Sequence, residues 1–564
     1  MHNKENIMGV WDLESFVKSS VRDGFKPVSV QNEIALFKEM RKDQKPILVF
    51  DSMSLVLLLC ARPDEILCGG RHQMFTRILD ELFAKLSKNA ELVFFQDGQI
   101  ADTKFPTWSA RQNKKYNNDI NTMEKIYDKF PLHRIAEGYV YTKTMMTAIE
   151  ETCKKYGKLN FAVKSECDQE LARYACSNSR VLAVFSNDSD FLIFPGHWRY
   201  FSTKDLQLDT LNTKEYNRAS LHSLLKLSNN QLAIFATIAG NDIVKHDELK
   251  RFHTKFDFRV DSKFPSFAKF IKNNFNGKNN HDSNVRQLAQ TIFRSTKQHN
   301  LDLVDSSIRS YDVKTKDSSP ENPLNIHLKQ HNLFTFQLLN GSPTNLSLVF
   351  FDCRQTDMPS YFDISVPLVQ RQAGVLFRHS QSEFPHLKIY SKVSHGTKYG
   401  KLALTPIWPP FDVPVIKDLY SDDPKFDKSR FQLLKWTVNW EKLENFDLRR
   451  IPSNYMIDVL TLVYLLHTKV IKSKEADLIL WTIKNVENGT IIRNIRPPEI
   501  LNPRAFRVAF IYVKMFANVA RCIEVCGLKK RYWKPCNFDG VFFHLEYLNY
   551  ENQFFDTYKL LNQL

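Results

Sequence analysis

Residues 161–194 read FAVKSECDQELARYACSNSRVLAVFSNDSDFLIF, and this stretch decides the fold. The run 161–163 is apolar, 168–175 carries apolar residues at helical spacing, and 181–185 is a second short apolar run. Short apolar runs of this kind belong to buried parallel strands, so the order is strand, helix, strand. Each strand delivers carboxylates as it ends: Glu166, Asp168 and Glu170 after the first, Asp188 and Asp190 after the second. Ligands of open parallel sheets bind beyond the carboxyl ends of the strands. Acids crowded there repel one another, and in a low-dielectric cleft several would take up protons. Divalent cations resolve the conflict, because hard ions such as magnesium and manganese prefer oxygen ligands. The competing reading makes these acids helix caps and solvated loop charges, since Asp and Glu favour helix N-termini in general.

Working outward, the run 47–50 follows Lys45-Pro46 and ends at Asp51, and 91–95 runs into Gln96-Asp97-Gly98. Between them, a helix over 73–86 lines up Phe75, Ile78, Leu79, Leu82 and Phe83 on one face. The motif of a strand ending on an acid thus recurs four times, which favours one metal-binding carboxylate cluster over surface decoration. Helices between the strands make a doubly wound, mainly parallel α/β sheet the expected architecture. Before the central stretch, 103–128 interleaves Lys104, Arg111, Lys114, Lys115 and Lys125 with Trp108 and Tyr116. Cations neutralise phosphates and aromatic faces stack on bases, so this is the make-up of a single-strand contact surface, or of an exposed helix with solubilising lysines. Further on, 231–238 is an apolar helical run ending in Ala239-Gly240-Asn241-Asp242; glycine suits a C-cap, and Asp242 turns back toward the sheet edge.

The chain of 564 residues is too long for one core and implies several domains. A formal charge of +16 points to a polyanionic partner, nucleic acid being the commonest. No apolar run reaches the roughly 18 residues of a membrane span. Nine scattered cysteines fit a reducing compartment, so the expectation is an intracellular protein of the nucleus or cytoplasm with no membrane attachment. No G-x-S-x-G, H-E-x-x-H or P-loop is present, so no protein nucleophile is expected. Cys522, Cys526, Cys536 and His544 read either as buried core groups or as zinc ligands at irregular spacing.

The segments MGVWDL at 8–13, VFD at Asp51, FFQDG around Asp97, SECDQELA, SNDSDFLIF and AGNDI resemble the XPG/flap-endonuclease superfamily in order and spacing. Within it the chain is most similar to the asteroid-type proteins and the constitutive coactivators of PPAR-gamma, through PGHWRYFS, IFATIAGNDI and the later VPLVQRQAGVLFRHS and ALTPIWPP. The resemblance implies a PIN-like, 5'-3' exonuclease-like fold. It puts Asp51, Asp97, Glu166, Asp168, Asp188, Asp190 and Asp242 at the superfamily's metal-site positions, holding two magnesium or manganese ions. Glu170 lies outside that set. Arg111 falls where the superfamily places a basic residue at the base of its helical arch, with Lys104 beside it and Lys114 and Lys115 along the same nucleic-acid surface. Asp12 stands in place of the superfamily's usual glycine, and IVKHDELKRFHTKF at 243–256 lacks the glycines of its DNA-binding helix–hairpin–helix.

The function expected from this resemblance is two-metal hydrolysis of phosphodiesters in single-stranded or flap-like DNA or RNA. The other reading is a nuclease-fold RNA-binding scaffold or transcriptional coactivator without turnover. The expected domains are 8–255, PIN/XPG-like; 256–300, a helical extension; 301–345, a linker or long loop rich in Ser, Asn and Pro. A β-containing region at 346–420, with strands over 366–377 and 387–393, and a mainly helical region at 421–564 follow. This C-terminal half is where a protein partner would bind.

Overall fold

A computed structural model of the protein describes residues 9–59, 62–98, 105–136, 145–163, 165–256, 260–275, 280–314, 322–346, 358–379, 386–392, 399–439, 447–489 and 495–551. The chain forms two compact units, neither contiguous in sequence. The first comprises Met1–Leu58, Leu79–Thr107 and Cys153–Ser319; the second comprises Leu59–Ile78, Trp108–Thr152 and Pro320–Leu564.

The first unit is built on a seven-stranded sheet. Its strands are β1 (Phe25–Ser29), β2 (Ile47–Asp51), β3 (Glu91–Asp97), β4 (Lys158–Ala162), β5 (Val181–Ser186), β6 (Arg199–Ser202) and β7 (Asn212–Tyr216). They lie in the order β1-β7-β6-β5-β2-β3-β4. The five strands from β6 to β4 are mutually parallel, and β7 runs antiparallel to both β6 and β1. The mixed, mainly parallel α/β architecture read from the sequence is therefore present. Every residue of β2 and β5 is buried, as continuous apolar runs require. Phe50 of β2 stacks on Phe185 of β5, ring centres 4.4 Å apart. The chain adds β3 and β4 on one side of β2, then crosses to add β5 on the other. The reversal leaves a crevice at the carboxyl ends of β2 and β5.

The helix Asn229–Ala239 begins at a capping box, in which the Ser228 amide donates to Gln231 Oε1 at 2.9 Å, and ends at Gly240 with φ 99°. The positive φ there suits a residue without a β-carbon. Helices Val260–Asn274 and His281–Phe293 follow. The stretch 301–345, expected to be a linker or long loop, instead carries helices Gln298–Arg309, Pro323–His331 and Leu333–Leu339. Its polar residues are structural: Asn322 caps a helix by accepting the Leu324 amide at 2.9 Å, Pro323 takes the first helical position, and Ser307 is fully buried.

The second unit packs its core around helix Pro503–Val525, with helices Tyr361–Phe377, Met456–His467 and Ser473–Glu487 contributing. A small sheet is formed by β8 (Thr344–Asn345), β9 (Leu387–Lys392) and β10 (Tyr399–Leu404), in the order β10-β9-β8. The run 366–377, expected as a strand, lies in helix Tyr361–Phe377. That helix is buried on nearly every side, so it shows no amphipathic period, and Val366, Val369 and Val375 read as β-formers. Trp436 is core, but Trp481 is 45% exposed. No helix among the described residues is long and apolar enough to cross a membrane.

Candidate active site

The acids of the first unit are set by strand ends. Asp51 is the last residue of β2 and Asp97 the last of β3; Asp188 follows the end of β5 by two residues. Asp51 is buried and held at both oxygens: Oδ1 accepts the Met53 amide at 3.0 Å and Oδ2 the Ser186 hydroxyl at 2.9 Å. The same Ser186 Oγ accepts the Asp188 amide at 3.2 Å, tying β2 to the loop beyond β5. Asp188 Oδ1 in turn accepts the Asp190 amide at 2.8 Å. Burial, reinforced by the charges of Asp97 and Asp188, pushes the Asp51 carboxyl up to about 7 despite these hydrogen bonds.

Helix Cys167–Ser177 brings further acids to this edge. Glu166 is its N-cap residue, and Asp168 and Glu170 lie in its first turn. Glu170 Oε1 accepts the Ser165 amide at 2.9 Å, which gives it a capping part. Cys167 is buried, and burial together with the charges of Asp97, Asp168, Asp51 and Glu170 raises its thiol well above the ordinary range. The charges of these four acids thus all act on the Cys167 thiol. Asp190 is reached from another direction: the phenol of Tyr311 donates to its Oδ1 at 2.7 Å. Asn241 Nδ2 donates to Tyr311 OH at 3.3 Å and to the buried Ser307 hydroxyl at 2.8 Å. Asp242, next in the chain, is half-buried, and its carbonyl accepts from Thr107 Oγ1 at 3.4 Å.

Hydrogen bonds thus link Asp51 through Ser186 to Asp188 and Asp190, while the charge of Asp97 acts on Asp51 and that of Asp168 on Cys167. Glu166 and Asp242 sit on the elements that border the crevice. Ser186, Cys167 and Tyr311 were not legible as site residues. Ser186 and Cys167 adjoin acids that were, whereas Tyr311 gave no signal because its segment read as a loop. The donor set is hard oxygen with surplus negative charge, and that chemistry fits divalent cations. As placed, no group of three or more His, Cys, Asp or Glu among the described residues stands close enough to close around one ion.

The expected phosphate-contact residues lie on helix Phe105–Tyr127, where Arg111 and Lys114 are exposed and Lys115 is half-buried. Lys104 lies outside the described residues. The later basic run at 529–534 is largely spent internally: Lys529 meets Glu524 at 2.9 Å, Lys530 meets Asp422 at 2.6 Å and Arg531 meets Asp427 at 2.6 Å. Cys522, Cys526 and Cys536 are buried free thiols.

By class, the first unit is a parallel α/β sheet carrying a carboxylate crevice at its switch point. The particular relatives are these. Residues 225–317 match the FAM120A-like domain. The chain is similar to the constitutive coactivator of peroxisome proliferator-activated receptor gamma of Bos taurus, 27% identical over 252 residues covering 44% of this chain and 35% of the relative. The Homo sapiens coactivator is 25% identical over 277 residues, 48% of this chain and 29% of the relative. The single-strand DNA endonuclease ASTE1 of Danio rerio is 25% identical over 262 residues, 44% of this chain and 34% of the relative. The match spans about a third of the length of these curated relatives. Among solved structures, the catalytic core of Rad2 in complex with DNA substrate matches with TM-score 0.31 at 15% identity, over 58% of this chain and 93% of that one. Human GEN1 in complex with Holliday junction DNA matches with TM-score 0.31 at 11% identity, over 77% of this chain and all of that one. TM-scores this low add nothing to what the sheet topology itself shows. The resemblance to the asteroid-type branch drawn from the sequence is borne out by the curated relatives.

Proposed function

We propose that the chain is a metal-dependent, structure-specific nuclease that hydrolyses phosphodiesters of single-stranded or flap-like nucleic acid. The observation that carries this reading is Asp51, a buried carboxyl held at both oxygens at the carboxyl end of β2, where burial and the charges of Asp97 and Asp188 disfavour its ionised form. A purely structural role leaves that repulsion uncompensated, whereas a site for positive charge uses it. Asp51, Asp97, Glu166, Asp168, Asp188, Asp190 and Asp242 would hold two magnesium or manganese ions, which when bound supply an activated water and stabilisation of the leaving oxygen. The chain's own part is orientation. The Met53 amide and Ser186 hydroxyl fix the Asp51 oxygens, the Asp190 amide fixes Asp188, and Tyr311 fixes Asp190. Arg111, Lys114 and Lys115, with Lys104, would draw the phosphate backbone in. The described cysteines are free thiols, which suits the reducing nucleus or cytoplasm.

A second reading is a nucleic-acid-binding scaffold or transcriptional coactivator that does not turn over. It is favoured by the coactivator relatives and by the lack of a three-donor group among the described residues. One experiment separates the two. Purified chain with manganese or magnesium is incubated with labelled single-stranded and flapped DNA and RNA, beside the Asp188→Ala/Asp190→Ala variant. Cleavage by wild type alone supports the nuclease. Equal inertness of both, with binding retained, leaves the scaffold.

A further inference from the structure

At the end of the sheet opposite the acids, where β6 begins and β7 ends, the first unit carries a cleft of about 370 Å³. Its wall runs from Pro195 to Tyr200, through Glu215 and Tyr216, to the start of helix Arg218–Leu225. Small-molecule sites occupy roughly 300–1,000 Å³, so the cleft is of that size.

Two arginines line it, and their surroundings differ. Arg199 is neutralised: its Nε donates to Glu215 Oε1 at 2.9 Å, and Glu33 forms a second ion pair with it. Arg218 is only 7% exposed and meets no carboxylate among the described residues. Its Nη1 donates to the carbonyls of Gly196 at 3.3 Å and Trp198 at 3.1 Å, and its Nη2 donates to that of Phe194. A guanidinium carries five N–H donors, and here Nε is left with no acceptor. The buried Trp198 ring covers one face of the group, its centre 3.9 Å from the guanidinium carbon. Carbonyls and an indole face orient the cation, but neither cancels its charge. Burial pulls the guanidinium down only to about 10, so it is charged at neutral pH.

The helix adds to this field. Arg218 and Ala219 are its first two residues, and both line the cleft. The Asn217 side chain caps the helix by accepting the Ser220 amide at 3.1 Å, so the amides of Arg218 and Ala219 have no acceptor within the helix. Helix N-termini of this kind attract anions. The only carboxylate among the described lining residues, Glu215, is already engaged by Arg199 and by Lys26 at 3.6 Å. A buried cation without a counter-ion is unfavourable by itself, and an oxyanion in the cleft relieves it.

We propose that this cleft binds a small ligand through an oxyanion, a carboxylate or a phosphate, that pairs with Arg218 at the start of helix Arg218–Leu225. The flat guanidinium suits both groups, since each offers two oxygens to its N–H donors. The site stands apart from the nuclease reading: it lies at the amino end of β6 and shares no residue with the acids.

The test is the melting temperature of the full chain, with sodium chloride replaced stepwise by sodium phosphate or by sodium succinate at constant ionic strength. Wild type should show a saturable rise, roughly 3–6 °C at ten times the Kd of the anion. A response to phosphate assigns a phosphorylated ligand and a response to succinate a carboxylate one; either supports the site. Arg218→Met should abolish the rise. Because Arg218 also ties down three carbonyls, a second variant guards against misfolding. Ala219→Asp leaves Arg218 in place and sets an acid in the first turn of the helix, at an exposed position where the helix favours one. It should melt no lower than wild type in chloride and yet lose the anion-dependent rise. Lys45→Gln, an exposed lysine elsewhere in the unit, should keep the rise in full. No saturable rise of wild type with either anion overturns the proposal. A rise that Ala219→Asp retains overturns it too, since the anion is then held elsewhere on the basic surface of the chain.

Discussion

The phenol of Tyr311 donates a 2.7 Å hydrogen bond to Oδ1 of Asp190, joining the end of helix Gln298–Arg309 to the acidic loop beyond β5. Tyr311 is buried, and burial together with the Asp190 charge raises its phenol well above the ordinary range, so it stays a proton donor at all working pH. Tyr311→Phe removes a donor to a charged acceptor, worth about 1.5–3 kcal/mol, and frees Asp190 to rotate. Melting should fall by several degrees, at roughly 2–4 °C per kcal/mol for a unit of this size. Cleavage should drop more than stability accounts for when assayed well below the melting point. Unaltered melting and cleavage would show that the bond positions nothing.

Asp51 gives the opposite sign. Its folded carboxyl titrates near 7, above its ordinary range, so the folded state holds the proton more tightly than the unfolded chain. The stability it contributes is present at low pH, declines as pH rises above about 4, and is gone once the folded group ionises above about 7. At pH 8 in EDTA, Asp51→Asn should therefore stabilise the chain, by about 1–4 kcal/mol as an upper range. The amide can still accept from the Met53 amide, so the local turn survives. The variant should also lose cleavage and the stabilisation that manganese confers on wild type. Destabilisation by Asp51→Asn at pH 8 would remove the electrostatic argument for the crevice.

The crevice was legible because strand ends and carboxylates coincide in sequence: Asp51 follows an apolar run directly, and Asp97, Asp188 and Asp190 come within five residues of the end of one. What stabilises them was less so. Tyr311 and Ser307 come from a Ser- and Asn-rich stretch whose polar residues turn out to be helix caps and buried hydrogen-bond partners, and composition alone does not separate those from loop residues. Strand β1 was missed because FKPVS is an edge strand with a proline and little burial. Helix Tyr361–Phe377 was missed because a helix buried all round has no period to read.

His253 predicts a loss of stability in acid. It is buried, its Nε2–H donates to the Ile238 carbonyl at 2.6 Å, and its Nδ1 has no hydrogen-bond partner. Burial, with Lys263 and His246 adding to it, pulls the imidazole down to about 4, while the Ile238 bond opposes the shift. The folded pKa lies below the unfolded one, so protonation favours unfolding. Its stability contribution is complete above about 6.5 and is lost as pH falls toward 4, by about 3 kcal/mol at most. His253→Gln keeps a donor for Ile238 and cannot titrate. Urea melts from pH 7 to 4.5 should show a shallower decline for the variant than for wild type. Parallel curves would mean that other groups control the acid limb.

Gly9 tests how closely the N-terminal segment bears on the acids. Its φ is +79°, and a β-carbon there would lie 2.2 Å from Asp188 Oδ1 and 2.7 Å from both the Asp190 amide nitrogen and Ser189 Oγ. The segment cannot simply back away. Ser189 Oγ donates to the Val10 carbonyl at 3.1 Å, and the Trp11 amide donates to the Gly240 carbonyl at 2.8 Å. Gly9→Ala must therefore push the Asp188 carboxylate and the following loop out of place, or break both ties. Gly489 isolates the steric part of the effect. It also has positive φ, +69°, but a β-carbon there meets nothing within 4 Å, so Gly489→Ala carries only the left-handed backbone penalty of about 1–2 kcal/mol. Gly9→Ala should cost about 1–3 kcal/mol beyond that control and abolish cleavage, whereas Gly489→Ala should cleave like wild type. Equal melting and equal activity of the two variants would mean that Gly9 does not hold Asp188, and that the loop 188–190 keeps its place without the segment packed against it.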